Sequence, residues 1–585
     1  MLNRDPLQRV LYIDLTKRRF WIEYRPELFE KYIGGTGVAN VLLREECPEG
    51  TDPLGPENPV IFSVGPLVGL FPMASKTVAM FKSPHTGNLG ESHAGGRSAV
   101  CIRQAGYGAI VIKGVSPIPV YITIFNDQVQ FHDGRALWGM RSNLTARALR
   151  EKEPGSGIRS ILRIGVGGER LVTYACLISE TYRHFGRLGL GAVFGSKKLK
   201  AIVISGKRSL PVTDKKVYKK IYDEIFHQIL TNPSLKKYHD LGTALNILPL
   251  NKLKALPTKN LQNPCFEEAG KISGEHLAEN YLGRRLACAH CPIACIHLAA
   301  LRELYEDEPY FYKTTFISYD YELIYALGTM LGVSNPQGLL RLLDEIEVLG
   351  LDAISTGVVL AWTTEAFQKG LITEKETSGL EPKWGDYETY MEIVKNIVLQ
   401  VNDFYQALAK GVEYASERYG GKEFALAFGK NEMPGYHTGH GGHLTFLTGA
   451  RHSHLDSAGY SFDQKFLGKE PLTPRDYAEK LFAEESYRQI LSSLVICFFA
   501  RGVYDYPTII NTLKIAGFDF SEEELKKLGK NILKEKYQFK FREGFSLDNI
   551  RIPKRILETL SPYGQLKEEF LREAIIHYKE LINVI

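Results

Sequence analysis

The chain has 585 residues, 44% apolar and 24% charged, which is too long for a single core and has the balance of an ordinary globular protein of several domains. Its 72 basic and 67 acidic residues leave a formal net charge of +5, and no long basic run exists, which excludes nucleic acid and membrane surfaces as expected partners. No apolar run approaches bilayer length. The start, Met1-Leu-Asn-Arg-Asp-Pro, lacks the apolar stretch of a secretion signal. Eight cysteines in this length do not form a disulfide framework, so a cytoplasmic location is expected.

The first two hundred residues predict β structure. Val10-Leu-Tyr-Ile-Asp-Leu and Phe20-Trp-Ile-Glu-Tyr read as a strand pair. Further strands follow at Val60-Ile-Phe-Ser-Val, Thr77-Val-Ala-Met-Phe, Ala109-Ile-Val-Ile and Val120-Tyr-Ile-Thr-Ile-Phe. Asn126-Asp127 turns the last of these back into Val129-Gln-Phe. Two segments repeat one pattern. His93-Ala-Gly-Gly-Arg97 leads to Ala109-Ile-Val-Ile, and His184-Phe-Gly-Arg187 leads to Ala201-Ile-Val-Ile. A matched pair of this kind predicts two halves related by a pseudo-twofold axis. Glycine loops admit the backbone close to a phosphate and arginine adds charge-assisted bonds, so two loops predict two phosphates, or else only tight turns. Gly165-Val-Gly-Gly168 is a poor match to a dinucleotide fingerprint.

After Gly206 the pattern turns helical, with Pro211-Val-Thr-Asp214 as linker and cap. The expected fold class is α+β: a β-rich domain over 1–210, then mainly helical domains over 211–420 and 421–585. Within the helical part Cys288, Cys291 and Cys295 fall at C-x2-C-x3-C. Three thiolates are one short of a [4Fe–4S] set, and Cys47, Cys101, Cys176, Cys265 and Cys497 are candidates for the fourth. Zinc held by three cysteines with His290 or His297 is the rival.

Three other stretches carry chemistry. Glu322 opens an apolar helix, either as a first-turn acid favoured by the helix dipole or as a buried acid–base with a raised pKa. His437, His440, His443, His452 and His454 could shuttle protons or line loops. Glu347-Val-Leu-Gly350-Leu-Asp352 sets two acids around a glycine, suiting a ligand with several N–H donors or a plain glycine-capped helix end.

In order and spacing, Lys82-Ser-Pro-His-Thr-Gly-Asn-Leu-Gly-Glu-Ser-His-Ala-Gly-Gly96, Gly189-Leu-Gly-Ala-Val-Phe-Gly-Ser-Lys-Lys-Leu-Lys-Ala-Ile202, the cysteine trio, Gly350-Leu-Asp-Ala-Ile-Ser-Thr-Gly357 and Leu494-Val-Ile-Cys497 resemble the tungsten-dependent aldehyde:ferredoxin oxidoreductase family along nearly the whole chain. The resemblance implies oxidation of aldehydes to carboxylic acids at tungsten held by two pyranopterins, whose phosphates share Mg2+, with electrons leaving through a [4Fe–4S] cluster to ferredoxin. It implies Cys288, Cys291, Cys295 and Cys497 as cluster ligands. It places His93 and His184 at the magnesium-contacting backbone positions, and Lys76, Gly95, Arg183 and Arg187 at phosphate or pterin contacts. The family's pterin-binding pattern D-x-x-G-L-(C/D) occurs twice. Here its first copy runs from Glu347 to Asp352, and its second is Ser492-Ser-Leu-Val-Ile-Cys497, with Ser492 for the acid and Val495 for the glycine. The catalytic acid falls on Glu322 and the catalytic histidine on His454, or on His437 with a different gap. Homodimeric relatives join through an iron held partly by a Glu at a place that looks like Arg341 here. A cation there implies instead a small ferredoxin-like iron–sulfur subunit. Two alternatives stand beside this reading: the active-site subunit of a tungsten benzoyl-coenzyme A reductase, and a zinc-stabilised interaction protein without catalysis.

Overall fold

The structure, a computed structural model, describes residues 5–153, 157–180, 182–305, 308 and 310–583. Two six-stranded sheets fill the first two hundred residues. The first contains β1 (Arg9–Asp14), β2 (Arg19–Tyr24), β3 (Val60–Ser63), β4 (Thr77–Lys82), β5 (Leu89–Ala94) and β6 (Ala109–Lys113) in the order β2-β1-β6-β3-β4-β5. The second contains β7 (Val120–Phe125), β8 (Gln128–Asp133), β9 (Arg159–Arg163), β10 (Leu177–Ser179), β11 (Arg183–Phe185) and β12 (Leu199–Ser205). Read from β8, its order is β8-β7-β12-β9-β10-β11, the first sheet over again. In each sheet a hairpin runs parallel to the Ala-Ile-Val-Ile strand, β1 with β6 and β7 with β12. Those central strands are buried along nearly their full length, which is why they are apolar runs rather than alternating ones.

The sequence predicts the apolar strands and misses the polar or short ones. His93 lies within a strand, β5, not in a loop. Leu-Gly-Glu-Ser-His-Ala has no strand-forming composition and is ordered by its ladder to β4. The mainly helical part also holds a three-stranded antiparallel sheet, β13 (Leu282–Leu286), β14 (Ile296–Leu304) and β15 (Tyr312–Tyr319). A two-stranded hairpin pairs β16 (Ala427–Phe428) with β17 (Asn431–Glu432), and helices dominate elsewhere, as at Lys215–Thr231, where the Asp214 carboxylate accepts from the N–H groups of Lys216 and Val217. One contiguous apolar cluster runs from Leu7 to Ile582 and joins sheets and helices in a shared core.

Two helix ends dock onto the two halves in equivalent ways. Helix Pro336–Leu349 ends at Gly350, with φ +78°, and helix Pro474–Ser493 is followed by Val495, with φ +54°. Leu351 then bridges antiparallel to Ala175, and Ile496 to Ala74. Two residues past β9, a Cβ on Gly165 would lie 2.3 Å from the Leu349 carbonyl oxygen; two residues past β3, one on Gly65 would lie 2.9 Å from that of Leu494. Only glycine permits either approach. A β-branched residue in the left-handed region is strained by about 1–2 kcal/mol, so Val495 is held there by its surroundings.

Candidate active site

The pseudo-twofold halves meet at one cavity of about 270 Å³. Lys76, His93, Gly95, Arg183, His184, Arg187, Glu322, Glu347, Asp352 and His454 all line it. His93 pairs in the ladder with Val78, the second residue of β4, and His184 with Ile178, the second residue of β10. The two histidines thus occupy one register position in the two sheets. His184 Nε2 stands 3.8 Å from Glu347 Oε1. Arg187 is fixed by Asp352 Oδ2 at 3.3 Å and by the Glu432 carbonyl at 2.6 Å. Asp352 also caps helix Ala353–Gln368.

Glu322 lies in the first turn of helix Tyr321–Leu327, and the Asp320 side chain caps that turn. Glu322 is thus a first-turn acid of that helix, and it is also buried in the cavity wall. Gly435 N–H donates to its Oε2 at 3.2 Å, and His454 Nε2 stands 3.4 Å from its Oε1. Burial pushes the Glu322 carboxyl up to about 8. Burial, with Arg187 and Arg451 nearby, holds the His454 imidazole well below its usual range. At neutral pH the pair is a protonated acid facing a neutral base.

His437 and Ser492 are not brought to the cavity. His437 is fully buried between His443 Nε2, at 2.9 Å, and the Thr559 carbonyl, at 3.0 Å. The rest of the histidine group is likewise spent on packing, with the His440 ring against Phe570 and His452 between the Phe446 carbonyl and Lys540.

The four thiols of Cys288, Cys291, Cys295 and Cys497 lie within reach of one another's charge. Burial, then Cys497, Cys288 and Cys295, push the Cys291 thiol up to about 12. Met73 joins the two segments: its N–H donates to the His290 carbonyl and its carbonyl accepts from Cys497 N–H. Burial alone would raise the Cys288 thiol, but Arg183 and Lys76 pull it below the ordinary value. A Cβ on Gly95 would sit 2.6 Å from Cys288 Sγ, so this thiol rests directly on the first half's glycine loop. Antiparallel β14 and β15 pair His297 with Tyr319, which sets Cys295 and Glu322 at neighbouring ends of one hairpin. Among the described residues no three His, Cys, Asp or Glu converge on a single ion, and His297 Nε2 is engaged by the His239 carbonyl. Buried polar atoms around the cavity lack partners: Arg183 Nε, Arg187 Nη1, Glu322 Oε1 and His454 Nδ1. A large polar ligand with anionic groups and N–H donors fits that set.

The family profile described as "Aldehyde ferredoxin oxidoreductase, N-terminal domain" matches residues 10–206, and "Aldehyde ferredoxin oxidoreductase, domains 2 & 3" matches residues 220–583. The chain belongs to the aldehyde ferredoxin oxidoreductase family. The tungsten-containing aldehyde ferredoxin oxidoreductase of Thermococcus kodakarensis is 34% identical over 94% of this chain and 91% of its own; that of Pyrococcus furiosus is 32% identical over the same shares. A Pyrococcus furiosus relative named as the WOR-like subunit of an aliphatic sulfonate oxidoreductase is 29% identical over 70% of this chain and 66% of its own. The active-site complex BamBC of benzoyl-coenzyme A reductase shares the fold, with a TM-score of 0.84 at 22% identity over 100% of this chain and 95% of that one. Family membership makes this chain one of a family of oxidoreductases, and the two archaeal relatives are named as tungsten-containing. Among its described residues no helix is long and apolar enough to cross a membrane.

Proposed function

We propose that the chain oxidises an aldehyde to a carboxylic acid at tungsten held by two pyranopterins, and passes the electrons through a [4Fe–4S] cluster on Cys288, Cys291, Cys295 and Cys497 to ferredoxin or a ferredoxin-like subunit. The observation that carries this reading is the buried Glu322–His454 pair, 3.4 Å apart, at the cavity the two half-sites line. Conversion of R–CHO and water to R–COOH releases two electrons and two protons. Bound tungsten supplies the two-electron chemistry. In its ionised form, which grows as pH rises through about 8, Glu322 takes up one of the two protons and the other passes to water; the raised pKa makes that carboxylate a stronger base than an ordinary one. His454 hydrogen-bonds the substrate oxygen as charge develops there, and the fixed Arg187 and Arg451 add a positive field.

Lys76, Arg183 and Arg187 suit the cofactor phosphates, the backbone at His93 and His184 suits the Mg2+ those phosphates share, and Glu347 and Asp352 suit pterin N–H groups. Arg183 and Lys76, beside Cys288 and in the cavity wall alike, support a short electron path from cofactor to cluster. Arg341 is engaged with Glu303 at 2.6 Å, which favours a small iron–sulfur subunit over an iron-bridged homodimer. Ser492 and Val495 in the second pterin segment leave room for a second reading, ring reduction of an aromatic coenzyme A thioester. Anaerobically purified protein tests the two. Tungsten, about four irons per chain and viologen reduction dependent on aldehyde are expected. Dienoyl product from benzoyl-coenzyme A without aldehyde activity would replace the first reading by the second.

A further inference from the structure

The two half-sites differ in where their acid comes from. On one side His184 of β11 faces Glu347, at the end of helix Pro336–Leu349. On the other side the register-equivalent His93 of β5 has no acid at the equivalent helix end, where Ser492 stands. Its partner is Glu91 of its own strand, with Nε2 to Oε1 at 2.7 Å. The position equivalent to Glu91 in the other half, two residues before the histidine, is Tyr182. Glu91 and Glu347 both line the cavity, and Ser492 does not.

Glu91 is fixed from three directions. Thr36 donates to Oε1 at 2.7 Å, and Lys536 Nζ donates to Oε2 at 2.5 Å. Lys536 is itself held by Gln489 Oε1 at 2.6 Å, three residues before Ser492 on helix Pro474–Ser493. Thr36 lies on helix Gly35–Glu46, which is pressed against the same segment: a Cβ on Gly35 would lie 2.1 Å from the Ser492 carbonyl oxygen. The strand acid is thus anchored by neighbours of the serine.

We propose that Glu91 is the cofactor-binding carboxylate of the first half-site, accepting a pterin N–H group in place of the acid missing at Ser492. The inference rests on the two-pterin reading above. Two copies of one ligand carry the same N–H donors, so each half needs an acceptor. A carboxylate has about four lone-pair sites. Thr36 and His93 use two on Oε1 and Lys536 uses one on Oε2, which leaves one free on a cavity-lining side chain.

The test is pterin, tungsten and iron content per chain in protein purified anaerobically from one host. Glu91→Ala should keep about four irons while pterin and tungsten retention falls roughly tenfold, the loss of one charge-assisted hydrogen bond. Adding Ser492→Asp to Glu91→Ala should restore both. Glu91→Ala/Lys536→Met removes the stranded ammonium and keeps the test alive if the single variant fails to fold: its pterin content should stay low. Full pterin in Glu91→Ala, or recovery with Lys536→Met and none with Ser492→Asp, would reduce Glu91 to a counter-ion for Lys536 and overturn the proposal. Wild-type protein without pterin would instead refute the functional reading on which it rests.

Discussion

Replacing Glu322 by Gln should make the protein more stable and far less active. The Glu322 carboxyl sits at about 8 in the fold against an ordinary 4.5. At pH 7 the folded chain therefore holds a proton that the unfolded chain releases, a cost of about 3 kcal/mol that glutamine does not carry. The folded value is the higher one, so wild-type stability is greatest below about 4.5, falls as pH rises, and levels off above about 8. The Gln variant loses that slope. Its geometry also fits: the amide oxygen accepts from Gly435 N–H where Oε2 now does, and the amide nitrogen faces neutral His454. As a base it is dead, so turnover should fall about 10²-fold or more. The ascending limb of the wild-type rate near pH 8 should disappear with it. Thermal inactivation half-lives at pH 6, 7.5 and 9, with kcat measured on tungsten-matched samples, check both halves. A variant with normal turnover, or one less stable than wild type at pH 7.5, would refute the argument that a buried, proton-holding Glu322 serves catalysis at the expense of the fold.

Cys497→Ala should abolish the cluster's visible and paramagnetic signals while Cys265→Ala leaves them unchanged; the reverse result would remove Cys497 from the ligand set. His454→Asn should lower kcat with little change in melting temperature. His437→Asn should lower stability by about 1–3 kcal/mol through its two lost buried hydrogen bonds, with kcat retained; exchange of these phenotypes would show that the wrong histidine faces the substrate. Gly165→Ala should weaken cofactor retention and melt earlier, because its Cβ would meet the Leu349 carbonyl at 2.3 Å and overpacking of this kind costs about 1–3 kcal/mol; an unperturbed variant would mean the docked helix end is free to shift.

What the sequence determined by itself is local. The spacing of Cys288, Cys291 and Cys295, the repeated His–Gly–Arg loops with their Ala-Ile-Val-Ile strands, and Glu322 at the head of an apolar helix are each written within a few residues, and the backbone geometry of a turn or strand carries them into the fold. The doubled sheet followed from the repeat for the same reason. What only the tertiary structure decided depends on segments far apart in the chain. Met73 brings Cys497 to a loop two hundred residues earlier, and His454 rather than His437 stands beside Glu322 because Gly435 and His454 fold over the same helix start. The sheet that links Cys295 to Glu322 was illegible because the two strands flanking β14 are polar and half-exposed over much of their length and are defined by their pairing rather than by composition. Glu91 gave no signal either: two residues before His93, in the strand Leu89–Ala94, nothing in its sequence neighbours marks it. Only burial against Lys536, Thr36 and His93 gives it a site, since a carboxylate's solvation and partners are properties of the packed interior and not of its neighbours in sequence.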